Sequence, residues 1–241
     1  MNSGIAYKGD VYLRRWENGV LNKQVIGPVG GTKLTLKANA EVKERLGKGR
    51  DNFGLVVGSI TINQPTDVAL GFNEVDPQVF AMLFMGTSAA LNDAGGSVTG
   101  ESITLVQDAW VKTAQRNIST SAITSLTLGV DFIEHPRMGA IMAKTPGAVG
   151  VQSVDYTYSG ITGTRVSSSV GGKIEVEIVF DGVNLESESD AYVRVPKATL
   201  IPDADIDLLS GDYIDTEMSG KAIKIPSETG DVIFDDGVVY G

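Results

Sequence analysis

The sequence predicts a mainly β fold with a single helix, and three observations predict it. Apolar residues alternate with polar ones over several runs, the period-two signature of half-buried strands. Only one segment shows helical spacing. Glycine is abundant, 29 of 241 residues, which supplies turns between many short strands. A hydrophobic share of 42% is enough for a core. The length suits one large β domain, or one domain with a smaller inserted module.

The elements follow in order. Asp10–Trp16 is a short β run closed by the turn Glu17-Asn18-Gly19. In Thr32–Leu46, Leu34, Leu36, Ala38, Ala40 and Val42 fall on one face, and Lys33, Thr35, Lys37, Asn39, Glu41 and Lys43 on the other. That is a strand with one wet face. The loop Gly47–Asn52 turns the chain, and Phe53–Ile62 runs back as the second half of a long hairpin with a mostly basic tip. Asp67–Phe72 alternates again, with Val68, Leu70 and Phe72 inward. Asp76 then reads as a helix N-cap and Pro77 as the first helical residue. Val79, Phe80, Leu83 and Phe84 form its apolar stripe, and Gly86 ends it.

A polar stretch, Asn92–Gly100, precedes a series of short strands: Ser102–Val106, Ala109–Thr113, Ala122–Leu128, Asp131–Glu134, Gly139–Ala143 and Val151–Tyr158. Lys173–Phe180 alternates cleanly, setting Ile174, Val176, Ile178 and Phe180 against Lys173, Glu175, Glu177 and Val179. Tyr192–Ile201, Ala204–Leu209 and Tyr213–Ile225 complete the strands. No repeat of fixed period appears.

The net charge of −10 is unevenly spread. Residues 1–60 carry ten Lys/Arg against five Asp/Glu, whereas residues 171–241 carry five against sixteen. A basic patch on one copy can therefore meet an acidic patch on the next. Uneven charge is also what an ordinary solvated surface produces. The Thr32–Ile62 hairpin is long for a globular domain, and a long edge strand must be paired, covered or charged. Pairing with neighbouring copies would close a ring and remove the edges. A self-contained sandwich with one overlong, Lys-decorated hairpin is the other reading of the same pattern.

Signals of catalysis are poor. There is no cysteine, so disulfides and thiolate metal sites are excluded, in keeping with folding in a reducing cytoplasm. The lone histidine, His135, precedes Pro136 in a turn, and no usual zinc pattern or Ser–His–Asp set can be built around it. Asp203, Asp205 and Asp207 begin like a calcium loop, but its sixth and twelfth positions hold Leu208 and Ile214 where Gly and Glu are needed. As a strand, this run would put the three aspartates on one solvated face. Gly47-Lys48-Gly49 is not a phosphate-binding loop. Carboxylates are plentiful in the last third, yet no pair is singled out for glycoside hydrolysis. No catalytic, cofactor-binding or metal residue is nominated. Neither a signal peptide nor a membrane span is expected.

The order of elements resembles a known family. A strand, a long hairpin, a strand ending in Phe72-Asn73-Glu74 and a helix through Phe80-Ala81-Met82-Leu83-Phe84-Met85-Gly86 resemble the N-terminal half of major tail (tail tube) proteins of long, non-contractile-tailed bacteriophages. Val98-Thr99-Gly100-Glu101, Trp110-Val111-Lys112, Asn117-Ile118-Ser119, Gly129-Val130-Asp131-Phe132 and Arg137-Met138-Gly139-Ala140-Ile141 are similar to a stretch found in that family. So are Val193–Leu200, Asp205–Leu208 and Glu217–Ala222. The motifs are loose, and the resemblance covers most of the chain.

The resemblance implies a tail-tube β-sandwich or open barrel with one flanking helix and an inserted β module. It implies a structural virion protein, not an enzyme, whose hexameric rings stack into a tube around a tape-measure protein. The tube would bind tail terminator and tail-tip proteins, let genomic DNA pass through its lumen, and need no cofactor. Its place would be the virion tail, assembled in the host cytoplasm. On that basis residues 1–97 and 166–241 form the tube core and 98–165 an inserted outer module. DNA must slide without sticking, so polar or acidic wet faces are the candidates for the lumen: Thr35, Asn39, Glu41, Ser59, Thr61, Asp67, Asn73, Glu175 and Glu177. Lys33, Lys37 and Lys43 share the face of Thr35 and Glu41, so either they sit beyond the bore, paired with an acidic neighbour, or the strand turns its other face inward; the first is the expectation. Lys48, Arg50 and Asp51 at the hairpin tip are the ring-stacking candidates. The alternatives are a type VI secretion ring protein, another virion part such as a tail terminator or capsid decoration protein, a tail-associated glycan hydrolase, and a secreted adhesin.

Overall fold

The computed structural model describes residues 6–74, 76–169, 173–203, 205–209 and 215–237. The chain forms two compact units, Met1–Ser88 with Val166–Gly241, and Ala89–Arg165. The first part of the chain gives β1 (Tyr7–Glu17), β2 (Val20–Leu21), β3 (Ile26–Leu46), β4 (Val56–Glu74), α1 (Pro77–Leu83) and β5 (Thr87–Asp93). Next come β6 (Gly96–Leu105), β7 (Val111–Lys112), β8 (Ile118–Ile123), β9 (Phe132–His135), β10 (Ala140–Ala143), β11 (Gly150–Tyr158) and β12 (Ile161–Ser167). The last part gives β13 (Ile174–Asn184), β14 (Asp190–Pro202), β15 (Thr216–Ala222) and β16 (Ile233–Gly237).

In the first unit six strands pair in the order β13-β1-β3-β4-β15-β14, and β14 pairs back onto β13. The fold is therefore mainly β, built on a closed six-stranded antiparallel barrel. Closure removes sheet edges where it is complete. The inward residues are those that alternation selects: Val11 and Leu13, Val68, Leu70 and Phe72, Ile174, Val176 and Ile178 are all buried in one core. Val195, Leu200 and Met218 join them, as do Val79, Met82 and Leu83 of the helix.

The helix follows its sequence signals. The Asp76 carboxylate accepts the Gln78 N–H at 2.7 Å, and Pro77 occupies the first turn. Met85 takes a positive φ of 49°, and the Gly86 N–H returns to the Ala81 carbonyl at 2.8 Å. Only glycine fits at 86, because an added Cβ would lie 2.0 Å from the Ser167 carbonyl oxygen. Phe80 and Phe84 are only half-buried and meet edge to face at 4.9 Å.

Several elements differ from expectation. The separate strands expected at Phe53–Ile62 and Asp67–Phe72 are one strand, β4. It passes through Pro65, which has no N–H for the ladder. A bulge absorbs the defect: Lys37 pairs with Asp67, but Asn39 pairs with Gln64, so β4 has one extra residue there. The strand expected over Ala204–Leu209 is absent from Asp205–Leu209. The Asp207 carboxylate accepts the Leu209 N–H at 2.8 Å, a side-chain turn that competes with extended pairing. Ala204 lies outside the described residues, as do Tyr213 and Ile214 of the last expected strand, which is seen as β15.

The second unit has two three-stranded sheets, β7-β10-β9 and β6-β11-β8, over a core that includes Ile103, Leu105, Ile118, Phe132, Ile141 and Val154. Sequence patterning placed the start of the insert at residue 98, which falls within β6. The polar stretch Asn92–Gly100 is largely extended, because Gly96, Ser97 and Val98 pair with Tyr158, Thr157 and Tyr156. The strand expected over Ala122–Leu128 ends at Ile123, and Ser125 turns the chain with φ 64°.

Candidate functional site

The β3–β4 hairpin outruns the barrel that holds it. β15 meets β4 only from Asp67 to Phe72, and β1 meets β3 only at Val29 and Ile26. Beyond the Lys37–Asp67 pair, among the described residues, no third strand pairs with these two down to Leu46 and Val56, although the Thr66 N–H at the foot of the arm still donates to Asp231. At roughly 3.3 Å per residue this arm is about 30 Å long. Both of its faces are exposed, with Val42 at 58% and Ile60 at 62%. An isolated two-stranded ribbon is marginal in water, and its free edges offer unpaired N–H and C=O groups.

The tip is tightly built. The Gly47 N–H donates to the Leu55 carbonyl at 2.7 Å and the Gly54 N–H to the Gly47 carbonyl at 3.0 Å. The Gly49 N–H donates to the Asn52 side chain at 2.8 Å. Lys48, Arg50 and Asp51 are all exposed here. Beside them Phe53 is 80% exposed.

The residues nominated for the lumen do not form one surface. Thr35, Asn39 and Glu41 share a face of β3, and the register puts Asp67 of β4 on it, opposite Lys37. The Gln64 amide donates to Glu41 at 3.1 Å, and Asn39 donates to the Pro65 carbonyl at 3.3 Å. Lys33 is paired with Glu217 at 2.8 Å, Lys221 with Asp67 at 2.7 Å and Lys43 with Glu41 at 3.7 Å. Hydrogen bonding from Lys221, then from Asn39, holds the Asp67 carboxyl below the usual carboxylate range. Ser59 and Thr61 lie on the opposite face, across from Glu44 and Val42. The Pro65 bulge reverses the side-chain parity of β4, which simple alternation cannot foresee. Asn73 is exposed at the bulged foot of the strand.

Glu175 and Glu177 correct the expectation more sharply, because both are buried, Glu177 completely. The Glu177 carboxylate is clasped by Arg14 of β1 and Arg194 of β14, the latter at 2.7 Å. Arg194 also reaches Glu228 at 3.0 Å. Burial acts against the charge on Arg194, but Glu177 and Glu228 raise its pKa above the ordinary value. Glu175 is held by Lys173 at 2.7 Å and Lys197 at 2.9 Å, which keep its carboxyl below the usual range. The Lys197 ammonium sits 5.0 Å from the centre of the Trp16 ring, and the Trp16 indole donates to the Pro196 carbonyl at 3.0 Å. Long side chains from both flanking strands thus cover a face that period two marks as wet.

Arg14, Arg194 and Glu228 carry no local sequence signal, since their partner is far away in the chain. Phe53 does carry one: it is an aromatic residue inside a Gly-, Asn- and Asp-rich turn. Among the described residues no three acidic or histidine side chains gather to hold a metal ion, and no helix is long and apolar enough to cross a membrane.

No curated protein matches the chain. The family described as "Protein of unknown function UCP028589" matches residues 5–233, which takes in the barrel strands, the arm and the second unit alike, and the chain belongs to that family.

Proposed function

We propose that this protein is the tube-building subunit of a long-tailed phage: six copies form a ring, rings stack into a tail tube, and DNA passes through the bore. The observation that carries this reading is the arm, about 30 Å of ribbon whose edges are unpaired and whose faces are exposed among the described residues. Such a ribbon is stabilised by partners, and sister copies are the partners always at hand. The charge layout supports the same reading. On the outer face of the β3–β4–β15 wall, Lys33 and Lys221 are neutralised by Glu217 and Asp67. With Lys33 and Lys221 paired, and the exposed Lys37 standing opposite Asp67, this wall gives DNA phosphates fewer cations to grip, and their retention depends on cations that release counterions. Thr35 and Asp67 on that wall, with Asn39 and Glu41 on the same face where β3 runs into the arm, are the lumen candidates that remain together. The buried Glu175 and Glu177 are ion-paired structural groups in this reading and leave the lumen set. Tape-measure, tail terminator and tail-tip proteins are the further partners, in a virion tail assembled in the host cytoplasm.

Negative-stain electron microscopy of the concentrated protein tests the proposal. Stacked rings of uniform diameter are expected. Sedimentation as a monomer at every concentration reached, with no rings on the grid, would overturn it.

A further inference from the structure

β3 parts from β1 after Val29. The two strands pair only at Val11–Val29 and Leu13–Ile26, and Gly30 and Gly31 lie in shifted register against Glu74 and Phe72. Between the parted strands lies a cleft of about 390 Å³. Leu34 and Leu36 of β3 form one wall, and Phe180, Val193 and Phe234 of β13, β14 and β16 form the other. Core-type side chains are therefore reachable from solvent at this end of the barrel, and Phe234 is itself 49% exposed.

The same end is strongly acidic. Register brings the start of β1, the end of β13, the turn into β14 and the end of β16 together: Tyr7 faces Asn184, Val183 faces Asp190, and Ala191 faces Asp236. Asp10, Asp181, Glu186, Glu188, Asp235 and Asp236 are all exposed there; Lys8 and Lys33 line the cleft as well, and Lys33 is already paired with Glu217. Asp10 and Asp181 stand directly opposite each other across the ladder, a like-charge pairing that weakens a sheet left by itself. The arm's end has the complementary character. With Lys43 paired to Glu41, Arg45, Lys48 and Arg50 still outnumber Glu44 and Asp51, and the tip presents the exposed Phe53. An aromatic anchor for a pocket, ringed by charge opposite to that of its seat, is the usual composition of a binding hot spot.

We infer that the acidic end of one copy seats the arm tip of the next: Phe53 enters the cleft, and Lys48 and Arg50 meet the carboxylates around Asp10 and Asp181. The contact joins two different surfaces, so it propagates from copy to copy and does not close a dimer. The inference rests on the tube reading, since stacked rings supply a next copy at each level.

The chain has no cysteine, so single cysteines report contacts cleanly. Phe53→Cys and Thr32→Cys, the latter at the cleft wall, are mixed at assembly concentration and oxidised. A disulfide joining one copy of each is expected. Lys48→Glu with Arg50→Glu on the Phe53→Cys partner should lower its yield on the order of tenfold, and Asp10→Lys with Asp181→Lys on the Thr32→Cys partner should restore it. Tubes without the mixed disulfide would overturn this seat and leave the tube reading standing. The mixed disulfide without tubes would support the seat and sink the tube reading. Neither tubes nor disulfide would sink both.

Discussion

The root and the arm of the β3–β4 hairpin are the same two strands in two environments. At the root, β1 and β15 flank the pair, and Val68, Leu70 and Phe72 are almost wholly buried. Past Lys37 and Asp67 the flanking strands end, and Val42, Leu46, Val56 and Ile60 are more than half exposed. The side chains are of the same kind in both places. What changes is the neighbour, which is a strand of the same chain below and, among the described residues, no strand above. Period-two patterning records that a face is meant to be covered, and is silent on whether one chain can cover it.

The comparison breaks most visibly at the root. Phe72→Ala should cost about 3–5 kcal/mol in denaturant unfolding of the isolated subunit, because Phe72 is fully enclosed. A loss below about 1 kcal/mol would mean that the root is no more a core than the arm is. Next comes charge. Glu177→Ala would leave Arg14 and Arg194 facing a hole, and breaking a buried ion pair costs about 3–5 kcal/mol; the partial exposure of both arginines puts the expected loss at the lower end. Glu41→Ala on the arm, among exposed partners, should change stability by less than about 0.5 kcal/mol. Equal effects at the two glutamates would erase the distinction.

A smaller effect marks the junction. The Asp231 carboxylate accepts the Thr66 N–H at 3.1 Å, satisfying the backbone where the Pro65 bulge disturbs pairing. Burial pushes the Asp231 carboxyl up, but hydrogen bonds from Thr66, and then from the backbone of Asp231 and Val232, together outweigh it and hold its pKa below the ordinary value. A lowered carboxyl pKa adds stability above the unfolded-state value, near 4, and that stability is lost as pH falls through the folded-state value. Thermal midpoints should therefore drop below about pH 4, more steeply in the parent than in Asp231→Asn. The substitution itself should cost about 1–2 kcal/mol at neutral pH. Parallel pH profiles for the two proteins would remove Asp231 from this role.

Much of the fold was legible in the sequence for a physical reason: half-buried strands must alternate, and helices must be capped. Leu34, Leu36, Val68, Leu70 and Phe72, and the Asp76-Pro77 start of the helix, could be placed by those rules alone. The misses also have reasons. One extra residue at Pro65 inverted the faces of Ser59 and Thr61, and a bulge has no periodic signature. Glu175 and Glu177 obeyed alternation, but the Arg14, Arg194, Lys197 and Trp16 side chains that bury them come from strands whose pairing only the fold reveals. Asp207 took a turn because a short carboxylate can bond its own backbone.

The smallest effect on the subunit is the most telling. Ile60 is apolar, sits on the arm opposite Lys43, and is 62% exposed. In the isolated subunit Ile60→Ser removes only the smaller, covered part of a mostly exposed side chain, so unfolding free energy should move by about 0.5 kcal/mol, the range of surface substitutions. If sister copies cover the arm, the same change deletes contacts made only on assembly, and the concentration needed for rings, read by sedimentation velocity, should rise. The two measurements separate because each samples a different neighbour: unfolding reports what this chain places on Ile60, and assembly reports what other copies do. A shift in unfolding with no shift in assembly would make the arm an ordinary, self-supported hairpin and reverse the contrast between its two halves.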